Sequence, residues 1–273
     1  WLIFLFYIGL LMMWYHLLAT KLSTSISNNV ILSLLTIPTV FSCVDEALSC
    51  PAHEEADTKV VFHACSVDYR AEIVIRSVDT DIVAIMLGHM HRLKNDSVVW
   101  ILTGTGNKLK YVNLTKIHAQ LGQSICQSLP GFHAITGCDY NPAFFRKGKL
   151  KPYKILKKCL EYQEAFMNFG DSELIENRVK QQNVYNIIQR FICHVYNIGN
   201  IIDVDAARLQ MFIDSYTVFD VNEAFDRKKL RNFDASNLPP CKSELLQQFL
   251  RALHMYHLEQ CSYEKSNHIS TRQ

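Results

Sequence analysis

The sequence predicts an α/β domain, a parallel sheet flanked by helices, followed by an α-helical C-terminal extension. Three observations carry this expectation. Residues 54–128 alternate between helical spacing and short β-branched runs, the run at 97–103 is almost wholly apolar, as strands buried on both faces are, and beyond Asp139 only helical periods remain.

The elements follow in order. A helix is predicted over residues 54–67, with Ala56, Val60, Val61, Ala64 and Val67 at helical spacing and acids in the first turn, where the macrodipole favours them. Residues 72–76, Glu-Ile-Val-Ile-Arg, read as a short strand ending at Ser77. A helix over 80–93 places Ile82, Val83, Met86, Leu87 and Met90 on its inner face, and a second strand covers 97–103. The turn Gly104-Thr105-Gly106 leads to a weak strand over 109–112, then a helix over 115–128 that Leu129-Pro130-Gly131 is expected to stop. Helices over 153–169, 172–194, 204–216 and 242–257 make the extension.

A length of 273 residues allows one domain of ordinary size or two small ones. The expected division is a hydrophobic N-terminal segment at 1–50, a core at 51–160 and a helical extension at 161–273. A formal charge of only +2 excludes a global field that pulls the chain onto nucleic acid, so any such binding needs a local basic patch. Nine cysteines, an odd number with no CxxC pair, and thiols such as Cys65, Cys138 and Cys193 inside apolar runs, favour a reducing intracellular compartment. Residues 1–19 carry no charge apart from the titratable His16, and as a helix would extend about 28 Å, long enough to span a bilayer. The positive n-region of a signal peptide is missing and the chain starts at Trp1, so it is expected to be a fragment. Three readings of residues 1–19 stand: a membrane anchor, a signal sequence, or sequence foreign to the domain.

The residues with chemistry are spaced acids: Glu55-Ala56-Asp57, Asp79-Thr80-Asp81, and Asp139 in Gly137-Cys138-Asp139-Tyr140. Ligands of open α/β sheets bind beyond the carboxyl ends of the strands, where Asp79 and Asp81 fall, and clustered carboxylates suit divalent metal. Gly137 would let the backbone near Asp139 approach a metal or phosphate. Residues two apart on a helix point about 160° from each other, so Glu55 and Asp57 share a site only if the first turn starts between them or water intervenes. Glu54, three residues before Asp57, is an alternate ligand. The competing reading is that these acids are caps and surface charges.

Together these motifs resemble the flap endonuclease and XPG nuclease family, a branch of PIN-like domains, over roughly residues 52–160. Gly131-Phe132-His133-Ala134-Ile135-Thr136-Gly137-Cys138-Asp139, the stretch Ala143-Phe144-Phe145-Arg146-Lys147-Gly148-Lys149, and Leu238-Pro239-Pro240-Cys241 are also similar to transposon-derived invertebrate proteins that bear such a domain. The resemblance implies a Mg²⁺- or Mn²⁺-dependent nuclease acting on DNA, branched or at single-strand/double-strand junctions, in the nucleus or elsewhere inside the cell. Glu55 and Asp57 would ligate the first of two metals, and Asp79, Asp81 and Asp139 the second. The family's sheet starts with N-terminal segments that each donate an Asp, whereas the first 44 residues here contain no Asp or Glu, so the first-metal site is expected to be incomplete and activity impaired. A domain that binds nucleic acid or a partner without cleavage, and a membrane-anchored protein, are the alternatives.

Seven basic residues, Arg146, Lys147, Lys149, Lys151, Lys154, Lys157 and Lys158, are interleaved with Phe144, Phe145 and Tyr153 around Gly148. Such a run suits phosphate contact, and equally a solvated face; the resemblance places a DNA-backbone clamp at this position, with Arg146 where a glycine is often found. His89-x-His91 and His254-x-x-His257 lack matching zinc partners, Gly104-x-Gly106 lacks a third glycine, and Cys126 and Cys138 have no base motif beside them.

Overall fold

A computed structural model of the chain describes residues 56–94, 96–215 and 234–270, the last with side chains through Tyr256. The chain divides between Leu121 and Gly122 into two compact units. The hydrophobic segment at 1–50, with the candidate anchor at 1–19, lies outside the described residues. Among the described residues no helix is long and apolar enough to cross a membrane.

The first unit is α/β. Helix α1 (Ala56–Ser66) precedes strand β1 (Glu72–Arg76), helix α2 (Asp81–His89), strand β2 (Val98–Thr103), strand β3 (Lys110–Asn113) and helix α3 (Leu114–Leu121). The strands form one sheet in the order β1-β2-β3. β1 and β2 are parallel, with Val74 opposite Trp100, because α2 and the turn that follows it carry the chain back across the sheet. β3 runs antiparallel to β2, with Ile101 opposite Val112, so the sheet is mixed rather than wholly parallel. The reason lies in the connection at 104–109, which permits a hairpin and is too short for a crossover. Gly104 and Gly106, at φ 99° and 55°, provide the left-handed backbone of that turn.

Burial along β2 alternates, which corrects the expectation of a strand covered equally on both faces. Val99, Ile101 and Thr103 are buried, and Val98, Trp100 and Leu102 half-buried. Val99 and Ile101 belong to the buried apolar set of this unit together with Ile75, Ile82, Met86, Leu87, Leu114 and Ile117.

The second unit is helical. It contains α4 (Gln123–Thr136), α5 (Leu150–Lys158), α6 (Leu160–Met167), α7 (Ser172–Glu176), α8 (Arg178–Val195), α9 (Val204–Ser215) and α10 (Lys242–Ser270). Among its described residues the sole strand-like pairing is a bridge between Cys138 and Asn141. Several helices predicted as continuous are divided. The one expected over 115–128 breaks at Gly122, where φ is +84°, and restarts as α4, which continues through Pro130 and Gly131 instead of stopping there. Pro130 removes one amide donor, while Gly131 lets the Phe166 carbonyl approach so closely that an added Cβ would lie 2.5 Å from its oxygen. Asn177 splits the helix expected over 172–194, its side chain accepting from the amides of Val179 and Lys180 at 3.1 Å. The core is a set of aromatic rings meeting edge to face, with Phe166 and Phe191 5.1 Å apart and Phe169 and Phe249 5.5 Å apart.

Candidate functional site

The turn between β1 and α2 carries Asp79 and Asp81. It leaves the carboxyl end of β1 where Ser77 donates its amide to Leu102 on β2 at 3.0 Å, so both acids stand at the carboxyl edge of the parallel pair. The Ser77 hydroxyl accepts from the Asp79 amide at 3.0 Å, and Asp79 Oδ1 accepts from the Asp81 amide at 3.0 Å. Two consecutive side-chain turns thus fix the loop that leads into α2, whose cap position, Thr80, makes no side-chain capping bond. Asp79 is exposed and Asp81 half-buried in the first turn of α2.

Asp57 is half-buried in the first turn of α1. Glu54 and Glu55 lie outside the described residues. Asp139 belongs to the second unit, exposed with Tyr140 at the tip of a tight turn closed by amide-to-carbonyl bonds between Cys138 and Asn141 at 3.0 and 3.2 Å. Gly137, at φ +124°, packs on Ala143, where an added Cβ would come within 2.8 Å. Its missing side chain therefore serves the close packing of this turn.

Among the described residues no three His, Cys, Asp or Glu side chains stand together as metal ligands. Asp79 and Asp81 are nevertheless hard oxygen donors, the type that Mg²⁺ and Mn²⁺ select. Mg²⁺ commonly sits on one or two carboxylates with waters and substrate phosphates completing its shell, and the donor chemistry of this turn fits that mode.

The basic run is divided by what each cation touches. Arg146, with φ +54°, lies over the Phe145 ring at 4.8 Å, and Lys147 lies over Tyr196 at 4.3 Å. Gly148 is exposed with φ +51°. Lys149 donates to His133 Nδ1 at 2.6 Å, and Lys151 donates to the Val195 carbonyl and the Asn197 side chain at 2.5 and 2.6 Å. Burial, then the neighbouring Lys147 charge, lowers the Lys151 ammonium below its ordinary pKa. Lys154, Lys157 and Lys158 are exposed on α5, while Phe144 and Tyr153 are buried.

His89 is buried with Nδ1 on the Ile85 carbonyl, and His91 Nδ1 meets the Gly88 carbonyl at 2.9 Å, so each ring serves its own helical turn. Burial, ahead of the Arg92 charge, lowers the His91 pKa. His254 is exposed on α10. Cys126 is buried and its thiol is pushed up to about 12, opposite to what a nucleophile needs; Cys138 is half-buried.

Two features of the second unit escape sequence reasoning. Asn141 is buried and donates its amide hydrogens to the carbonyls of Ala134 and Gln248 at 3.0 Å each, while Gln248 donates back to the Pro142 carbonyl at 2.7 Å. This clip fastens the Gly-Cys-Asp-Tyr turn to α10, and its only signal is a polar residue followed by proline. Beside it opens a cleft of about 210 Å³ bordered by Phe144, Phe145, Tyr196, Pro240, Glu244 and Arg251.

No protein-family model, curated protein or solved structure matches the chain.

Proposed function

We propose that the chain is a metal-dependent phosphodiesterase acting on DNA, of the flap endonuclease and XPG kind that its motifs resemble. The observation that carries the reading is the position of Asp79 and Asp81, immediately beyond the carboxyl end of a strand in a parallel pair, on a turn fixed by its own hydrogen bonds. Asp79 and Asp81 would hold Mg²⁺ or Mn²⁺. The resemblance assigns the further ligands to Glu55, Asp57 and Asp139, in a two-metal arrangement. Bound there, the ion supplies a hydroxide at neutral pH and charge neutralisation for the phosphate oxygens. The chain's own task is orientation: the Ser77 and Asp79 turns hold the backbone at Asp79 and Asp81 and one oxygen of Asp79 before substrate arrives, and the exposed lysines of α5 attract the phosphodiester backbone. A DNA substrate places the protein in the nucleus or elsewhere inside the cell.

The test is cleavage of flapped or branched DNA with Mn²⁺ by the full chain and by the D79N/D81N variant. The D79N side chain retains the oxygen that receives the amide of residue 81, so the loop survives while the charge goes. Loss of product formation is expected, and undiminished cleavage refutes the assignment. A second reading, binding without cleavage, is favoured by the exposed Lys154, Lys157 and Lys158. It predicts DNA affinity that falls in K154E/K158E, weakens with salt, and is unchanged in D79N/D81N, with no cleavage by any variant.

A further inference from the structure

We propose that the cleft beside the Asn141 clip takes the base of one unpaired nucleotide, stacked on the Phe145 ring. The inference rests on the DNA-binding reading above and gives it a preference, single-stranded over duplex DNA. Every residue lining the cleft is among the described residues, and all belong to the second unit. One wall is the stretch after Asn141, from Pro142 to Phe145. The other is α10, where Glu244, Gln248 and Arg251 stand at helical spacing. The bonds from Asn141 to the Gln248 carbonyl and from Gln248 to the Pro142 carbonyl tie these two walls together, so the shape of the cleft is set before a ligand arrives.

Size and chemistry choose the occupant. A volume of about 210 Å³ lies below the roughly 300–1,000 Å³ of sites for drug-sized ligands, which leaves room for one flat ring system. Phe145, 45% exposed, offers a face for stacking, and Phe144, Tyr196, Leu238 and Pro240 add apolar wall. Arg146 lies over Phe145 and Lys147 over Tyr196, so two of the rings that line the cleft each carry a cation. With Arg251 these charges suit the phosphate of a nucleotide whose base is inside, offset in part by Glu244 and by Asp234, which stands within reach of the Arg146 charge. A neutral proline-rich peptide would use the rings and leave the cations without a counter-charge. The Glu244 carboxylate accepts only, so it favours an amino-bearing edge such as cytosine N4 over the O4 of thymine.

The test is fluorescence anisotropy of the full chain with labelled oligodeoxycytidine of about 12 nucleotides and with a duplex of the same length, in EDTA so that nothing is cleaved. Tighter binding of the single strand is expected. F145A should weaken it at least about fivefold and leave the duplex affinity, supplied by the α5 lysines, unchanged, while K154E/K158E weakens both. Oligodeoxycytidine should bind more tightly than oligothymidine, and E244A should level the two. Phe145 and Glu244 are exposed, so neither truncation threatens the fold, which circular dichroism checks. Photocrosslinking through iodinated cytosine should map to Phe144, Phe145 or Tyr196. Single-strand affinity indifferent to F145A, with duplex binding intact, overturns the proposal, leaves the cleft to the chain itself and lets the DNA reading stand. No affinity for either form of DNA overturns both. Displacement of the oligonucleotide by an equal concentration of deoxycytidine monophosphate would assign the cleft to a free nucleotide and overturn a strand-borne occupant.

Discussion

Removing the Asn141 amide should destabilise the second unit more than any feature of its sequence suggests. Both partners of the amide, the carbonyls of Ala134 and Gln248, are acceptors only, which fixes the orientation of the group. Each bond is worth about 1 kcal/mol net, and truncation also leaves a small void in a buried position, so N141A should cost about 2–4 kcal/mol. For a unit of this size each kcal/mol moves the melting temperature by roughly 2–4 °C, giving a fall of about 5–15 °C. N141D is the sharper variant, because it turns a donor facing two carbonyl oxygens into a buried acceptor, and should be worse than N141A near neutral pH. Urea unfolding followed by far-ultraviolet circular dichroism reads both. A loss below about 0.5 kcal/mol for N141A, or an N141D no less stable than N141A, would refute the clip.

Two further outcomes follow from charge and burial. Burial raises the thiols of Cys65 and Cys193 to about 11 and that of Cys126 to about 12, whereas Cys241 is lowered, chiefly by the Ser243 hydroxyl and then by the Glu244 amide. Among these four, peptide-resolved alkylation near pH 8 should label Cys241 first, and S243A should slow that labelling. The Lys180 ammonium, bonded to Asp171 at 2.5 Å, is the main cause of that carboxyl lying below its ordinary pKa of 3.8. Its stabilisation is present above that ordinary value and is lost as pH falls through the depressed one, so the stability gap between the wild type and D171N, measured by denaturation at a series of pH values, should close in strong acid.

Strand β1 is legible because three β-branched residues in a row have little use for a helix, and the Asp-x-Asp turn is legible because acids after a strand form the turn into the next helix. The expectation of a parallel sheet misses the direction of β3, because it extends a helix–strand alternation over a six-residue connection that cannot make a crossover. Gly131 misleads because its meaning is tertiary. Helix propensity counts Pro130-Gly131 as a stop, but close contact with the Phe166 carbonyl outweighs that cost. Asn177 is hidden inside an unbroken helical period, where a cap and an interior polar residue look alike. For the acids, spacing fixes which edge of a local element each one occupies. It carries no information on whether Asp57, the Asp79–Asp81 turn and Asp139 converge, since that depends on packing between elements rather than on any single one.

Turn closure and metal binding make different demands on the same two carboxylates, and thermodynamics separates them. The turn needs one oxygen of Asp79 and no charge, so D79N should preserve the lead into α2, and Mn²⁺ should leave the stability of every variant unchanged. A ligand needs the charge. If Asp79 and Asp81 hold the ion, Mn²⁺ stabilises the folded chain by RT ln(1 + [L]/Kd), about 2.7 kcal/mol at a hundredfold excess over Kd, and D79N/D81N loses that increment while keeping its metal-free stability. This readout needs no substrate and no turnover, so it judges the carboxylates independently of the cleavage rate. A melting temperature that ignores Mn²⁺ in the wild type would reduce Asp79 and Asp81 to residues of the turn and leave the basic face of α5 as the remaining route to DNA.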